Sequence, residues 1–221
     1  MSLTTTTGIA LILSTLIYHG GLVYLFARAQ FGDVLDLPVP QKIGDHLLVG
    51  HRREKLLIIA KHPNDYRWGS RIVLVGWIVA ALGYVMLAVL LRDAGDPITA
   101  TLASVLFLIG IVAAVVFWAF HVSPTLLTAE ETARTSNVPD YYESLQLAAE
   151  SLLGVYQLLG LLATAGFGWA LLQTGILPSW VGWATVGWGV VWAGVFLKTS
   201  DGIPLLPMVM QVVIGVALLL K

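Results

Sequence analysis

Hydrophobic residues in this chain neither alternate nor recur as a stripe. They run on almost unbroken in six stretches, at 8–29, 70–91, 98–121, 147–172, 179–197 and 204–220. Each is near the ~20 residues with which a helix crosses ~30 Å of hydrocarbon. Continuous apolar runs fit helices, whose backbone hydrogen bonds are satisfied within the segment, rather than the alternating strands of a barrel. The last stretch is the shortest, roughly 17 residues, and would cross with little tilt. The pattern therefore predicts an all-α, polytopic integral membrane protein: one domain over 1–221, with six transmembrane helices in a bundle. The longest hydrophilic stretch, 30–69, is about 40 residues, below the usual size of a separate domain.

Composition agrees, with 57% hydrophobic residues and a mean hydropathy of +0.84. The net charge of −1 conceals an asymmetry. Arg28, Lys42, Arg52, Arg53, Lys55, Lys61, Arg67 and Arg71 flank or fill the first connection, Arg134 lies in the third and Lys198 in the fifth. Only Arg92 and Lys221 fall on the other side. Lysine and arginine stay on the cytoplasmic side during insertion, so the long first loop is expected inside and both termini outside, in the cell inner membrane. The stretch 1–7 lacks the positive start of a signal peptide, and although Ala27-Arg28-Ala29 mimics a cleavage site, the apolar run is too long for one. The first span is read as a retained helix.

The first loop begins extended at Pro38 and Pro40 and then predicts a helix over 45–60. Leu47, Leu48, Leu56, Leu57, Ile58 and Ile59 are its apolar cargo, with Arg52, Arg53, Lys55 and Lys61 around them. Such a helix is expected in the headgroup layer, with Arg52, Arg53 and Lys55 contacting anionic lipid or a partner. His46, His51, Glu54, His62 and Asp65 share the loop, but their spacing does not match helical ligand pairs, and no metal site is assigned. Asn64 or Asp65 is expected to cap the second span.

The fourth span carries the chain's clearest polar pattern. Glu143, Glu150, Gln157 and Thr164 recur every seven residues, with Gln146 beside them, so they form one stripe with only ~20° of drift per step. Facing lipid would be costly, so the stripe is expected to face the bundle interior, a cavity or a partner. Matching depths along antiparallel spans sets His121 level with Glu150, and His19 level with Gln157 and Thr164, with Thr15 one turn away. His19, His121, Glu150, Gln157 and Thr164 are the candidate buried polar network. It is read either as a proton or substrate path or as interhelical glue with an interfacial acid. Bis-histidine haem is disfavoured, because His19 and His121 should differ in depth by roughly 15 Å.

Trp68, Trp118 and Trp180 sit at predicted membrane edges, whereas Trp188 and Trp192 form a one-turn pair that could line an aromatic pocket for a lipophilic ligand. Helix packing is the simpler reading of that pair, because Gly182, Gly187, Gly189 and Gly194 interleave with it. The absence of cysteine excludes disulfides, Fe–S clusters, thiolate metal sites and cysteine nucleophiles.

The run Gly175-Ile176-Leu177-Pro178-Ser179-Trp180-Val181-Gly182, with Leu205-Leu206-Pro207-Met208 and the closing Ile214 to Lys221, resembles a bacterial six-span family, domain of unknown function 4386. The resemblance covers the final third of the chain. It implies that family's fold and an inner-membrane location, with no catalytic residues to carry over.

Two function classes remain open. One is a lipophilic-ligand-binding protein, small transporter or accessory subunit using the polar stripe of the fourth span. The alternative is a membrane enzyme or redox carrier acting on an isoprenoid, quinone or lipid, with Glu150 or His121 as acid or base. The first is preferred, since the chain has no H-E-x-x-H, no D-D-x-x-D and no paired intramembrane aspartates. The expected partners are the bilayer, including its anionic lipid, and a second copy or the subunits of a membrane complex, with no nucleic acid. The sequence specifies no cofactor.

Overall fold

The computed structural model describes residues 2–25, 27, 52–199 and 206–221. Its elements are α1 (Leu3–Leu25), α2 (Arg52–Lys61), α3 (Pro63–Asp93), α4 (Pro97–Thr135), α5 (Tyr141–Thr174), α6 (Ser179–Thr199) and α7 (Leu206–Leu219). Five of them, α1, α3, α4, α5 and α6, are long and apolar enough to cross a membrane. The described part of α7 has 14 residues, about 21 Å of helix, and is shorter than a bilayer core.

The long helices form a ring. α1 packs on α3, α3 on α4, α4 on α5 and α5 on α6, while α7 closes the circle against α1 and, more lightly, against α5 and α6. The apolar outer faces, including Leu16, Val112 and Val191, remain exposed on the bundle's flanks, as lipid-facing positions require. Inside lie Tyr18, Trp77, Tyr84, Phe107, Tyr156 and Phe167, all essentially inaccessible.

Glycine sets the closeness of these contacts. Gly69, Gly76 and Gly83 recur every seven residues on α3 and all face α1. A Cβ on Gly76 would come within 2.8 Å of the Tyr18 backbone, and one on Gly21 within 2.8 Å of the Val73 nitrogen. Without a hydrophobic drive between helices in lipid, such backbone approach maximises van der Waals contact. Gly168, Gly182 and Gly189 do the same between α5 and α6. Gly187 and Gly194, expected to nest tryptophans, meet nothing within 4 Å.

Helices at the end where α3 starts run well past the hydropathy boundaries. α4 continues through Pro124 to Thr135 rather than stopping at residue 121, α5 begins at Tyr141 rather than 147, and α3 at Pro63 rather than 70. Hydropathy marks where lipid ends, but these extensions are held by one another: Thr125, Thr128, Ala129 and Thr132 of α4 are fully buried. α3 starts with Pro63 at its first turn after His62, whose side chain makes no cap, so neither Asn64 nor Asp65 is the cap. Asp65 instead accepts a 2.9 Å hydrogen bond from the Tyr24 hydroxyl and ties α3 to α1. At the other end Gly175, with φ of 59°, closes α5 in a left-handed turn that leads through Pro178 into α6.

Candidate functional site

The basic helix sits on protein. α2 packs on α4 and α3 with Leu56 and Ile59 buried at 1% and 0% exposure, so these two of its apolar residues are spent on the bundle rather than on headgroups. The helix begins at Arg52, and the expected start at 45, with Leu47 and Leu48, lies outside the described residues, as do His46 and His51. Arg53 donates from Nε to the Ser136 carbonyl at 2.9 Å, capping the left-handed end of α4. Lys55 is half-buried and turned toward α5 and α4, so Arg53 and Lys55 do not share one outward face. The Arg52 side chain lies outside the described residues. Burial lowers the Lys55 ammonium from its ordinary 10.5 to about 8, against the opposing attraction of the Glu150 carboxylate.

Beneath α2 runs a chain of polar contacts joining α4 and α5. His121 Nδ1 lies 2.7 Å from Gln146 Oε1, Gln146 Nε2 donates to Thr125 Oγ1 at 3.4 Å, and Thr125 meets the Tyr142 hydroxyl at 3.1 Å. A neutral imidazole with its proton on Nδ1 donates the first of these bonds. Gln146, Gln157 and Thr164 are all buried, Glu150 is half-buried and Glu143 is exposed, so the stripe turns inward along most of α5. The partner of His121 is Gln146, one turn nearer the start of α5 than the expected Glu150. That turn is the error of matching depths along two helices whose starting levels differ.

The network expected around His19 is not formed by His19. Its Nδ1 lies 2.7 Å from the Thr15 carbonyl of its own helix. The polar knot at that level joins its neighbours to α7: Ser14 donates to Gln211 Oε1 at 2.7 Å, and Thr15 lies 3.4 Å from the same oxygen and from the Met208 carbonyl. The Tyr84 hydroxyl reaches the Pro207 carbonyl at 3.5 Å and stands near Thr164 and Gln211. Gln211, fully buried, is the residue that sequence reasoning passed over. A lone glutamine in an otherwise apolar stretch was the available signal. Trp188 donates to the Leu206 carbonyl at 2.9 Å and so fastens α6 to α7, with Trp192 5.7 Å away ring to ring.

Comparison with protein-family models, with curated proteins and with solved structures gives no match to this chain. The chemistry of the site must be read from the residues themselves.

The outer surface between α3 and α4 holds a pocket of about 350 Å³. Leu74, Val115 and Trp118 form its apolar wall, while Arg67, Ser70 and Arg71 stand at the end nearer α2. Trp118, expected at a membrane edge, donates its N–H to the Ser70 carbonyl at 2.8 Å and so presents its ring to this surface. The Ser70 hydroxyl is 2% exposed and has no hydrogen-bond partner. Arg71 lies over the Trp68 ring at 5.1 Å, and Arg67 reaches Asn64 at 3.4 Å. Neither arginine forms an ion pair among the described residues. A second pocket of about 400 Å³, between α2, α3 and α4, shares Arg67 and Leu126 with the first and is flanked by Glu130. The two make one groove. Behind its wall, Trp118 packs at 6.1 Å on His121 and edge-on at 5.2 Å against Trp77. Among the described residues no group of three or more histidine, aspartate and glutamate side chains is placed to hold a metal ion.

Proposed function

We propose that this chain is a six-span protein of the bacterial inner membrane, with both termini outside, which binds a lipophilic ligand taken laterally from the bilayer. It acts as a binding module and not as an enzyme. The observation that carries this reading is the α3/α4 groove, where an apolar wall on the bundle's outer flank ends in two guanidinium groups that form no ion pair among the described residues. Small-molecule sites combine a mostly apolar surface with a few convergent polar groups, and the arginines supply those. The basic end, with Arg53, Lys55, Lys61, Arg67, Arg71 and Arg134, is the cytoplasmic end in this reading. The apolar run 204–220 provides the sixth span, and the resemblance of 175–182 to the six-span family supports the same arrangement. The α5 stripe contributes as the fixed polar backing of the groove, through Gln146, His121 and Trp118.

The test is site-specific photocrosslinking in native membranes. A photoreactive residue at Val115 or Leu74, inside the groove, is expected to yield a discrete lipophilic adduct by mass spectrometry. The same residue at Val112, 63% exposed on the flank of α4, serves as control. Indistinguishable adducts at all three positions would sink the proposal.

A further inference from the structure

The groove's polar groups are arranged along its length, and their order restricts the headgroup it can accept. Arg67 and Arg71 stand where the apolar wall ends. Guanidinium forks match the oxygens of a phosphate ester. Beyond Arg67, away from the apolar wall, the second pocket presents the Glu130 carboxylate. Glu130 lies one helical turn past Leu126, the α4 residue common to both pockets, which is about 6 Å along the axis. A carboxylate there repels a second negative charge and attracts an ammonium.

We propose that the groove binds an aminophospholipid, with its acyl chain against Leu74, Val115 and Trp118, its phosphate on Arg67 and Arg71, and its ammonium toward Glu130. This inference rests on the reading of the groove as a lipophilic-ligand site. The apolar wall commits the occupant to a lipid rather than to free phosphate, for which Leu74 and Val115 have no use. Arg71 is held at the rim by Trp68, so less of its side-chain freedom is lost on binding.

The experiment is native mass spectrometry of the delipidated full-length protein in detergent, titrated with three lipids of identical chains: phosphatidylethanolamine, phosphatidylglycerol and diacylglycerol. The expected order is phosphatidylethanolamine first, with diacylglycerol weaker by about tenfold or more, the usual weight of a charge-assisted hydrogen bond. Inorganic phosphate should not displace the lipid. Arg67→Gln with Arg71→Gln should bring phosphatidylethanolamine down to the diacylglycerol level, and Glu130→Gln should erase its advantage over phosphatidylglycerol. All three side chains are exposed, so these variants are expected to fold, which thermal unfolding checks. Phosphatidylglycerol binding as well as phosphatidylethanolamine overturns the ammonium assignment and with it the proposal. Diacylglycerol binding as well as the phospholipids overturns the headgroup while leaving the groove as a lipophilic site. Retention of none of the three removes the groove reading itself.

Discussion

Gly76→Ala tests whether backbone contact between α1 and α3 holds the bundle together. The added methyl would lie 2.8 Å from the Tyr18 nitrogen, Cα and Cβ. Ordinary contact starts at 3.4 Å, so the helices must part by about 0.6 Å at this point. Rotating a side chain cannot relieve the clash, because two of the three atoms are backbone. Parting also cannot stay local, since Gly21 against Val73 and Gly69 against Leu25 are equally tight along the same seam. Overpacking of this kind costs about 1–3 kcal/mol, against which alanine returns ~0.5–1 kcal/mol through better helix propensity. The control is Gly20→Ala, one position from the seam, where a methyl meets nothing within 4 Å and only the propensity gain remains. The difference between the two variants should therefore approach the overpacking cost alone. At roughly 2–4 °C per kcal/mol for a chain of this size, Gly76→Ala should unfold several degrees below Gly20→Ala. Tryptophan emission in mild detergent reports it directly, because Trp77 is packed 5.6 Å from the Tyr18 ring that must move. Equal midpoints for the two variants would refute the close-packing argument.

Gln146→Leu leaves His121 and Thr125 without their shared partner in a buried site and should cost about 1–3 kcal/mol in thermal unfolding, whereas Gln146→Glu, which keeps an acceptor for His121, should lose less. A double-mutant cycle of Ser14→Ala and Gln211→Leu should give a coupling of about 0.6 kcal/mol, up to ~1.7, as for hydrogen bonds between other membrane helices; zero coupling would remove the α1–α7 link as a stabilising contact. For Lys55, the folded protein releases its proton at about 8 while the unfolded chain keeps it to 10.5, so this residue makes stability rise with pH across that window. The rise should be absent in Lys55→Met, and identical pH profiles for the two proteins would contradict the burial of Lys55.

Hydropathy alone carried the long helices, because a continuous apolar run has only one economical conformation in lipid. The inward turn of Gln146, Gln157 and Thr164 was equally legible, since a seven-residue repeat on a helix keeps one face and lipid penalises exposure of amides. What failed was pairing. The partner of His121 differs from expectation by one turn, and His19 is satisfied within its own helix, because which donor meets which acceptor depends on helix offsets that no single helix encodes. The glycine repeat 69, 76 and 83 obeys the same periodicity as the α5 stripe, yet the glycines read as packing residues were those beside tryptophans, two of which meet nothing within 4 Å. The helix extensions at the α2 end were invisible to hydropathy for a different reason: threonine and alanine buried between protein helices do not read as membrane.

The groove and the polar chain beneath α2 belong to one construction. Trp118 spends its N–H on the Ser70 carbonyl, which fixes the indole between α3 and α4. That ring borders the groove, and His121 packs against it at 6.1 Å while bonded to Gln146. In the proposed reading, a ligand against the indole also presses on a hydrogen-bonded chain extending through Thr125 to Tyr142. Because interiors of this density move between discrete packings rather than yielding smoothly, the proposed occupation of the groove is expected to depend on the packing of that chain. The linkage has a sign. A side chain that loosens Gln146 should weaken ligand retention in the groove without touching any residue that lines it, so Gln146→Leu and Arg71→Gln should lower lipid retention by separate routes, the first through the Trp118 indole and the second through a lost guanidinium.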